Sequence, residues 1–177
     1  MARGPLRILL EGRPGSGKTT VARGLAGLLE RDGEPVCGIL TDEVRESGRR
    51  VGFTVERLGG PREMLAHVSF AGPPRVGRYG VDLDALERVA LPALADARRG
   101  STAIVDELGK MELASVAFRD AVLELLEQPV PVVATAQAAG HPFTRELKSR
   151  HEFAVERVTA ATRADLPARL AAQLRRG

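Results

Sequence analysis

A short stretch near the start of the chain has the residue types and the spacing needed to hold phosphate. Gly12–Thr19 matches the pattern Gly-x-x-x-x-Gly-Lys-Ser/Thr, whose glycines permit backbone angles and close approaches that a side chain would block. Successive backbone N–H groups can then surround a β-phosphate at the positive end of a following helix. Lys18 can reach the β- and γ-oxygens, and the Thr19 hydroxyl can bind Mg²⁺. The predicted nucleotide-binding residues of this loop are Gly12, Arg13, Pro14, Gly15, Ser16, Gly17, Lys18 and Thr19.

Two acidic residues follow an apolar run farther along the chain. Ala103, Ile104 and Val105 precede Asp106 and Glu107. An aspartate directly after a buried strand can hold Mg²⁺, directly or through water, so Asp106 joins Thr19 as a predicted metal ligand. Glu107 can orient or deprotonate a water in line with the γ-phosphate, which makes it a predicted catalytic residue. An apolar run that ends in Asp-Glu can also be a helix cap or an exposed strand end, so this prediction depends on the phosphate loop.

Arginine supplies most of the positive charge of this chain. Of 26 Lys and Arg residues, only Lys18, Lys110 and Lys148 are lysine. Because lysine is a compact point charge and arginine a planar fork, a retained lysine can mark a position where the two differ physically. Lys18 and Lys110 both lie near the predicted phosphate-handling segments, and both are predicted to be catalytic.

These motifs require strands that end close together, and the hydrophobic pattern predicts them. Short apolar runs alternate with amphipathic helical runs, which predicts an α/β fold. The phosphate loop between the first strand and the first helix makes this a fold of the P-loop NTPase type. We expect a three-layer αβα sandwich with a mostly parallel central sheet and an antiparallel hairpin extension. The predicted strands are Leu6–Leu10, Val36–Leu40, Val51–Leu58, Glu63–Phe70, Ala103–Val105, Val130–Ala134 and Phe153–Arg157. The predicted helices are Lys18–Glu30, Leu83 to about Arg99 after an Asp82 cap, a helix beginning at Ser115, Phe143–Arg150 and Ala164–Arg175.

Length and composition predict a single domain, 1–177, that does not cross a membrane. The sequence contains no run of about 18 apolar residues, the length that a membrane span needs. Met1–Arg7 lacks the apolar segment of a signal peptide. The lone cysteine, Cys37, lies in an apolar run and suits a reducing compartment. We therefore expect a cytoplasmic protein that acts as a monomer.

The charge distribution favours a small-molecule partner over nucleic acid. The formal net charge is +3, but basic and acidic residues are interleaved along the chain. With one tyrosine and no tryptophan, the chain has few rings on which bases can stack. The expected partner is a nucleoside triphosphate, and nucleic acid is not expected.

Several motifs together resemble the THEP-type nucleoside-triphosphatase family. Glu11–Thr20, Thr41–Arg45, Gly77–Val81 and Asp106–Glu112 occur in the family's order and spacing, within a similarity that runs from about Leu6 to Leu170. The resemblance implies Mg²⁺-dependent hydrolysis of ATP, GTP and other triphosphates to the diphosphate and phosphate, with broad base tolerance. It also implies that a second segment contacts the nucleotide, namely Ala103, Ile104, Val105, Asp106, Glu107, Leu108, Gly109 and Lys110.

Two cations near these motifs each have two interpretations. Lys110 can neutralise charge that develops on the γ-phosphoryl group, or it can form a surface salt bridge with Glu107 or Glu112. Arg45 can contact phosphate, or it can pair with Glu43. The sequence leaves both choices open.

Two further arginines lie in segments that can reach the nucleotide. Arg78 belongs to the loop Gly72–Gly80, which can close over the site or remain a solvated loop. Arg163 can stack on the base or simply start the last helix. The family pattern Thr-x-x-Asn-Arg reads here with Thr162 in place of asparagine, which leaves the base preference open.

Three functions fit these residues. In a hydrolase, Glu107 positions water; in a small-molecule or nucleotide kinase on the same fold, a second substrate takes the place of that water. In a nucleotide-gated binding module, hydrolysis acts as a timer. Release of phosphate without an acceptor separates the first function from the second.

Overall fold

The computed structural model describes residues 4–151 and 153–176 of the chain. Residues 1–3 of the segment Met1–Arg7, and both ends of the predicted domain 1–177, lie outside the described residues. The strands are β1 (Arg7–Gly12), β2 (Val36–Glu46), β3 (Arg49–Arg57), β4 (Arg62–His67), β5 (Arg75–Val76), β6 (Tyr79–Val81), β7 (Thr102–Val105), β8 (Val132–Gln137) and β9 (Ala154–Arg157). The helices are α1 (Lys18–Arg31), α2 (Leu83–Ala95), α3 (Val116–Glu127), α4 (Pro142–Arg150) and α5 (Leu166–Leu174), and a 3-10 turn covers Glu112–Ala114.

Across the described ranges these strands form one mixed sheet. Their order is β5-β6-β4-β3-β2-β7-β8-β1-β9. Strands β2, β7, β8, β1 and β9 run parallel to one another. Strands β3, β4, β6 and β5 extend the β2 edge with antiparallel pairs. This arrangement is the predicted parallel sheet with an antiparallel extension. No helix in the part of the chain described here is long and apolar enough to cross a membrane.

Helices cover both faces of the sheet, as the predicted three-layer sandwich requires. Successive side chains of a strand point to opposite faces, and in β1 both faces are buried. Leu9 therefore packs into the core beneath α2 and α3, while Ile8 and Leu10 pack beneath α1 and α5. The predicted Asp82 cap forms, since its side chain accepts the Ala85 N–H of α2. Ser115, predicted to begin a helix, caps α3 by accepting the Phe118 N–H.

The antiparallel extension is larger than the hydrophobic pattern predicts. The predicted strand Val36–Leu40 continues as β2 to Glu46, because Thr41–Arg45 pairs with β3. The predicted loop Gly72–Gly80 contains the very short strand β5 and the start of β6. Polar residues in long hairpins and strands of two or three residues leave no clear period in the sequence.

Other boundaries move by a few residues. The helix predicted to reach about Arg99 ends at Ala95, and the next turn is closed by Ser101, whose hydroxyl binds the backbone of Arg98. The strand predicted at Val130–Ala134 covers Val132–Gln137, since pairing with β1 begins at Val132. Helix ends and strand registers depend on such tertiary partners, which the apolar pattern does not encode.

Gly38 provides a test of how closely β2 and β7 approach. Its φ is +115°, and a Cβ there would lie 1.8 Å from the Ile104 carbonyl oxygen. We expect Gly38→Ala to lower the free energy of unfolding by about 3 kcal/mol or more, because strain and a backbone clash combine. Urea unfolding followed by circular dichroism measures this change.

Gly27 is the matched control for that substitution. It lies inside α1, and a Cβ there would meet nothing within 4 Å. Gly27→Ala should raise the free energy of unfolding by about 0.5–1 kcal/mol through helix propensity. Equal stabilities of the two variants would show that β2 tolerates a side chain at Gly38.

Candidate active site

A cleft of ≈ 890 Å³ opens where the loops after β1 and β7 leave the sheet. The outer parts of β2 and β3 and the turn before β6 form the opposite wall. Many of the predicted site residues line it together. They are Pro14, Gly15, Gly17, Lys18, Thr19, Glu107, Gly109, Lys110 and Arg163.

The remaining predicted residues do not line the cleft. The side chains of Ala103, Ile104 and Val105 are buried in the two cores on either side of β7, so this stretch supports the residues that follow it. Among the described residues, those predicted for the site that do not line the cleft are Gly12, Arg13, Ser16, Ala103, Ile104, Val105, Asp106 and Leu108.

The loop between β1 and α1 is shaped by its glycines. A Cβ on Gly12 would lie 2.3 Å from the Ser16 hydroxyl and 2.9 Å from the Val158 carbonyl, so only glycine fits there. Gly15 and Gly17 have φ values of +77° and +103°, in the region that favours glycine. Among the described residues, the buried Ser16 hydroxyl has no hydrogen-bond partner. The loop is thus a compact cradle that holds one unsatisfied polar atom.

Lys18 spans the mouth of this cradle. The residue is only 6% exposed, and its ammonium donates to the carbonyl oxygens of Gly12 at 3.1 Å and Arg13 at 3.2 Å. Its Nζ also lies 3.7 Å from Oε2 of Glu107. A buried cation that bonds neutral carbonyls and one carboxylate is well placed to meet an anionic ligand.

Asp106 is fully buried and accepts hydrogen bonds from three neighbouring elements. Thr19 donates to Oδ2 at 2.8 Å, and Thr135 donates to Oδ1 at 2.6 Å. The Thr41 backbone N–H lies 3.2 Å from Oδ2. Burial raises the pKa of Asp106, while these threonine hydrogen bonds lower it. The carboxylate therefore connects β7 to α1, β8 and β2.

The same contacts test whether a magnesium ion fits. Thr19 Oγ1 and Asp106 Oδ2 are hard oxygen donors already adjacent to each other, and Thr19 faces the cleft. Mg²⁺ prefers one or two protein oxygens and completes its shell with water and phosphate. The residues present fit this ion.

Glu107 faces the cleft directly after Asp106. Burial raises the pKa of Glu107, the charge of Lys18 lowers it, and the charge of Asp106 raises it again. A polar contact with the Gln137 side chain also favours the ionised form. A carboxylate whose basicity is raised in this way can accept a proton from water.

Lys110 lies on the exposed rim of the cleft. Neither Glu107 nor Glu112 forms a salt bridge with it within the described part of the chain, where Lys18 and Lys148 are the lysines that do pair with acids. Its ammonium is therefore available to a ligand in the cleft.

The arginines of the opposite wall are bound to neighbouring groups. Arg45 donates to the Glu43 carboxylate at 2.8 Å and to the Gly48 carbonyl. Arg78 does not line the cleft; its guanidinium binds the Arg50 carbonyl and lies over the Tyr79 ring. The structure thus contains the Arg45–Glu43 pair and holds the Arg78 side chain away from the phosphate loop.

Arg163 packs against the phosphate loop from the other side. A Cβ on Gly17 would lie 3.0 Å from the Arg163 Cδ, so the arginine stem lies directly over this glycine. The residue is exposed and lines the cleft just before α5. This position lets its guanidinium reach the part of a nucleotide that leaves the loop.

Polar residues at strand ends complete the site. Thr41 belongs to the Thr41–Arg45 motif but has no predicted role of its own, and Thr135 and Gln137, which interrupt the apolar run of β8, are not predicted at all. Their common signal is a polar side chain near the carboxyl end of a parallel strand. Recognising them requires knowing that β2 and β8 flank β7.

Fold and site together define a class of protein. A glycine-rich loop joins a buried strand to a helix, its lysine crosses the mouth, and its threonine binds an aspartate at the end of another strand of the same sheet. These features define a P-loop nucleotide-binding protein.

Comparisons with known proteins identify the family. The NTPase family model matches residues 7–171, so the chain belongs to this NTPase family. Nucleoside-triphosphatase THEP1 of Thermotoga petrophila is 42% identical over 146 residues, covering 82% of this chain and 79% of the relative. The cancer-related nucleoside-triphosphatase of Homo sapiens is 38% identical over 170 residues, covering 88% and 90%. The crystal structure of THEP1 from Aquifex aeolicus has a TM-score of 0.84 and 31% identity, covering 96% of this chain and 99% of that one. The predicted THEP-type resemblance and P-loop fold are therefore confirmed.

Thr135 tests how much the buried Asp106 carboxylate depends on its donors. Thr135→Val removes the 2.6 Å hydrogen bond but keeps the side-chain shape. We expect the free energy of unfolding to fall by about 1–3 kcal/mol, because an acceptor stays buried with one donor fewer. Urea unfolding without nucleotide measures the change.

Thr54→Val is the control, since the Thr54 hydroxyl is buried and has no hydrogen-bond partner in the described part of the chain. Removing this hydroxyl should be neutral or stabilising. An equal loss of unfolding free energy in both variants would mean that the hydrogen bond from Thr135 to Asp106 does not stabilise the fold.

Proposed function

We propose that this protein hydrolyses nucleoside triphosphates to the diphosphate and inorganic phosphate, with Mg²⁺ as cofactor. The observation that carries the proposal is the joint position of Lys18, Glu107 and the Thr19–Asp106 pair at one cleft. The activity named for the relatives supports it.

The loop and Lys18 bind the phosphates in this proposal. A triphosphate in the cradle of Gly12–Thr19 lies at the N-terminus of α1, where backbone N–H groups are free. Lys18 then exchanges its neutral carbonyl partners for β- and γ-oxygens. The same exchange releases Glu107 from its 3.7 Å contact with the ammonium.

Thr19 and Asp106 would hold the magnesium ion. When bound, Mg²⁺ neutralises charge on the β- and γ-phosphates. The threonine hydrogen bonds to Asp106 keep the carboxylate oriented for this task.

Glu107 orients the attacking water. The water oxygen forms a bond to the γ-phosphorus, the bond to the β–γ bridging oxygen breaks, and the water proton passes to Glu107. A polar contact with Gln137 favours the ionised form of this carboxylate, which is the form that accepts the proton. Positioning and electrostatics therefore account for most of the catalysis.

The segment beside Arg163 supports broad base tolerance. Thr162, which replaces the family's asparagine, donates to the Arg157 carbonyl at 2.9 Å and accepts the Thr159 N–H at 3.0 Å. Its hydroxyl is thus used within its own turn. Arg163 offers a planar cation for stacking, which distinguishes bases weakly. We therefore propose that both ATP and GTP are substrates.

The roles of Lys18 and Glu107 are tested together. Phosphate release from ATP and GTP is measured with Mg²⁺ and no acceptor. Lys18→Ala should weaken nucleotide binding about 10- to 100-fold, because charge-assisted hydrogen bonds are lost. Glu107→Gln should lower kcat by about 10²- to 10⁴-fold and leave nucleotide affinity nearly unchanged.

The same assay separates hydrolysis from phosphoryl transfer. Phosphate equal in amount to the diphosphate formed supports a hydrolase. Tight binding without phosphate release would instead favour a kinase or a nucleotide-gated binding module. Wild-type turnover in Glu107→Gln would remove the proposed role of this residue.

Lys110 is the cation that we propose to neutralise charge developing on the γ-phosphoryl group. It faces the cleft from the rim, while Arg45 and Arg78 are bound to other groups. Lys110→Ala should lower kcat by about 10²-fold with a smaller change in KM. Arg78→Ala serves as the comparison and should change kcat little. The reverse order of effects would assign the role to Arg78.

The single domain 1–177, the cytoplasmic location, the monomeric state and the lack of nucleic-acid binding remain predictions. Size-exclusion chromatography with light scattering measures the oligomeric state directly.

A further inference from the structure

Another carboxyl group faces the cleft, and the proposed chemistry does not use it. Glu112 opens the 3-10 turn after Lys110, and it lines the cleft although only 5% of the residue is exposed. The turn is fixed by the Leu113 N–H, which donates to the Gly109 carbonyl at 2.9 Å. Its buried position and rigid backbone set Glu112 apart from a surface acid.

Charge around Glu112 favours its protonated form. The charged groups that act on it most strongly are the carboxylates of Glu107 and Asp106, and no salt bridge reaches it within residues 4–151 and 153–176. Backbone N–H groups of Gly109 and of Glu112 itself bond to the carboxyl and favour its ionised form, but burial and the two like charges outweigh them. Burial, together with the negative charge of Glu107, raises the pKa of Glu112 to about 8.

The carboxyl groups of Glu112 and Glu107 both lie close to the Cα of Gly109. A Cβ on Gly109 would lie 2.8 Å from Oε2 of Glu112 and 2.9 Å from Oε1 of Glu107. Both carboxyl groups therefore border the same small space. A neutral acid donates a hydrogen bond and a carboxylate accepts one, so the two groups are complementary when Glu112 holds the proton.

We propose that Glu112 is a positioning residue, a neutral hydrogen-bond donor that holds the Glu107 carboxylate toward the attacking water. The inference rests on the function proposed above for Glu107. Glu112 contacts no reacting atom, and its own proton stays in place through the reaction. It acts directly or through one bridging water, as the space beside Gly109 permits.

This role requires a donor and no negative charge. An ionised Glu112 would add a like charge beside Glu107 and the incoming phosphates. A side-chain amide keeps the size and the donor, whereas a thioether keeps the size alone. Glu112→Gln and Glu112→Met are therefore a matched pair that differs mainly in hydrogen bonding.

The test compares kcat and KM for Mg²⁺–ATP in these two variants. We expect kcat of Glu112→Met to lie on the order of 10- to 100-fold below that of Glu112→Gln, because a misplaced Glu107 loses its alignment. KM should change much less than kcat, since Glu112 does not hold the nucleotide. Thermal unfolding of both variants checks that they fold, because methionine also removes the acceptor of the Gly109 and Glu112 backbone N–H groups.

The double variant Glu107→Gln/Glu112→Met decides whether the two residues act together. If Glu112 works through Glu107, the double variant should be no slower than Glu107→Gln alone. Fully additive losses would overturn the inference, as would equal kcat values for Glu112→Met and Glu112→Gln. Glu87→Gln is the control for loss of a nearby carboxyl outside the cleft, where Glu87 accepts from Ser115 at 2.6 Å.

The single variants also separate this inference from the proposed function. Unchanged turnover in Glu107→Gln would remove the role of Glu107 itself, whatever Glu112 does. A slow Glu107→Gln beside a fast Glu112→Met would leave the hydrolytic mechanism intact and overturn only the role of Glu112.

Discussion

The buried carboxylate of Asp106 is the constraint on which the site depends. Removing a carboxylate from water is costly unless hydrogen bonds replace the lost solvent. Thr19, Thr41 and Thr135 supply those bonds from α1, β2 and β8. Each donor is therefore fixed relative to the end of β7. One charge thus sets the positions of the phosphate loop and of both neighbouring strands.

Sheet order decides what lies between the loop and the acidic residues. β8 separates β1 from β7, so Thr19 reaches Asp106 past the end of β8. Thr135 and Gln137 belong to that strand end and contact Asp106 and Glu107. A strand that contributes no recognisable motif consequently supplies two polar partners of the acidic residues.

The charges of the cleft are divided between its two sides. Asp106, Glu107 and Glu112 lie near one another beside a single buried lysine, Lys18. Each acid is stabilised differently: hydrogen bonds stabilise Asp106, the Lys18 ammonium lies beside Glu107, and Glu112 keeps its proton. On the opposite wall, Glu43 pairs with the arginines of β2 and β3. The cation of the phosphate loop therefore remains the main attraction for a triphosphate.

The sequence by itself determined the phosphate loop, the acidic strand end, the order of most strands and helices, and the family. These features are local: glycines at fixed spacing, apolar runs of strand length, and caps such as Asp82 and Ser115 act within a few residues. Tertiary structure alone decided the rest. It kept the side chains of Ala103–Val105 out of the cleft, extended β2 through pairing with β3, and brought Thr135 and Gln137 to the acids. It also placed Glu112 beside Glu107 and buried nearly all of the Glu112 side chain. Burial and the distance between charges determine what a carboxyl group does, and both depend on which segments the fold brings together.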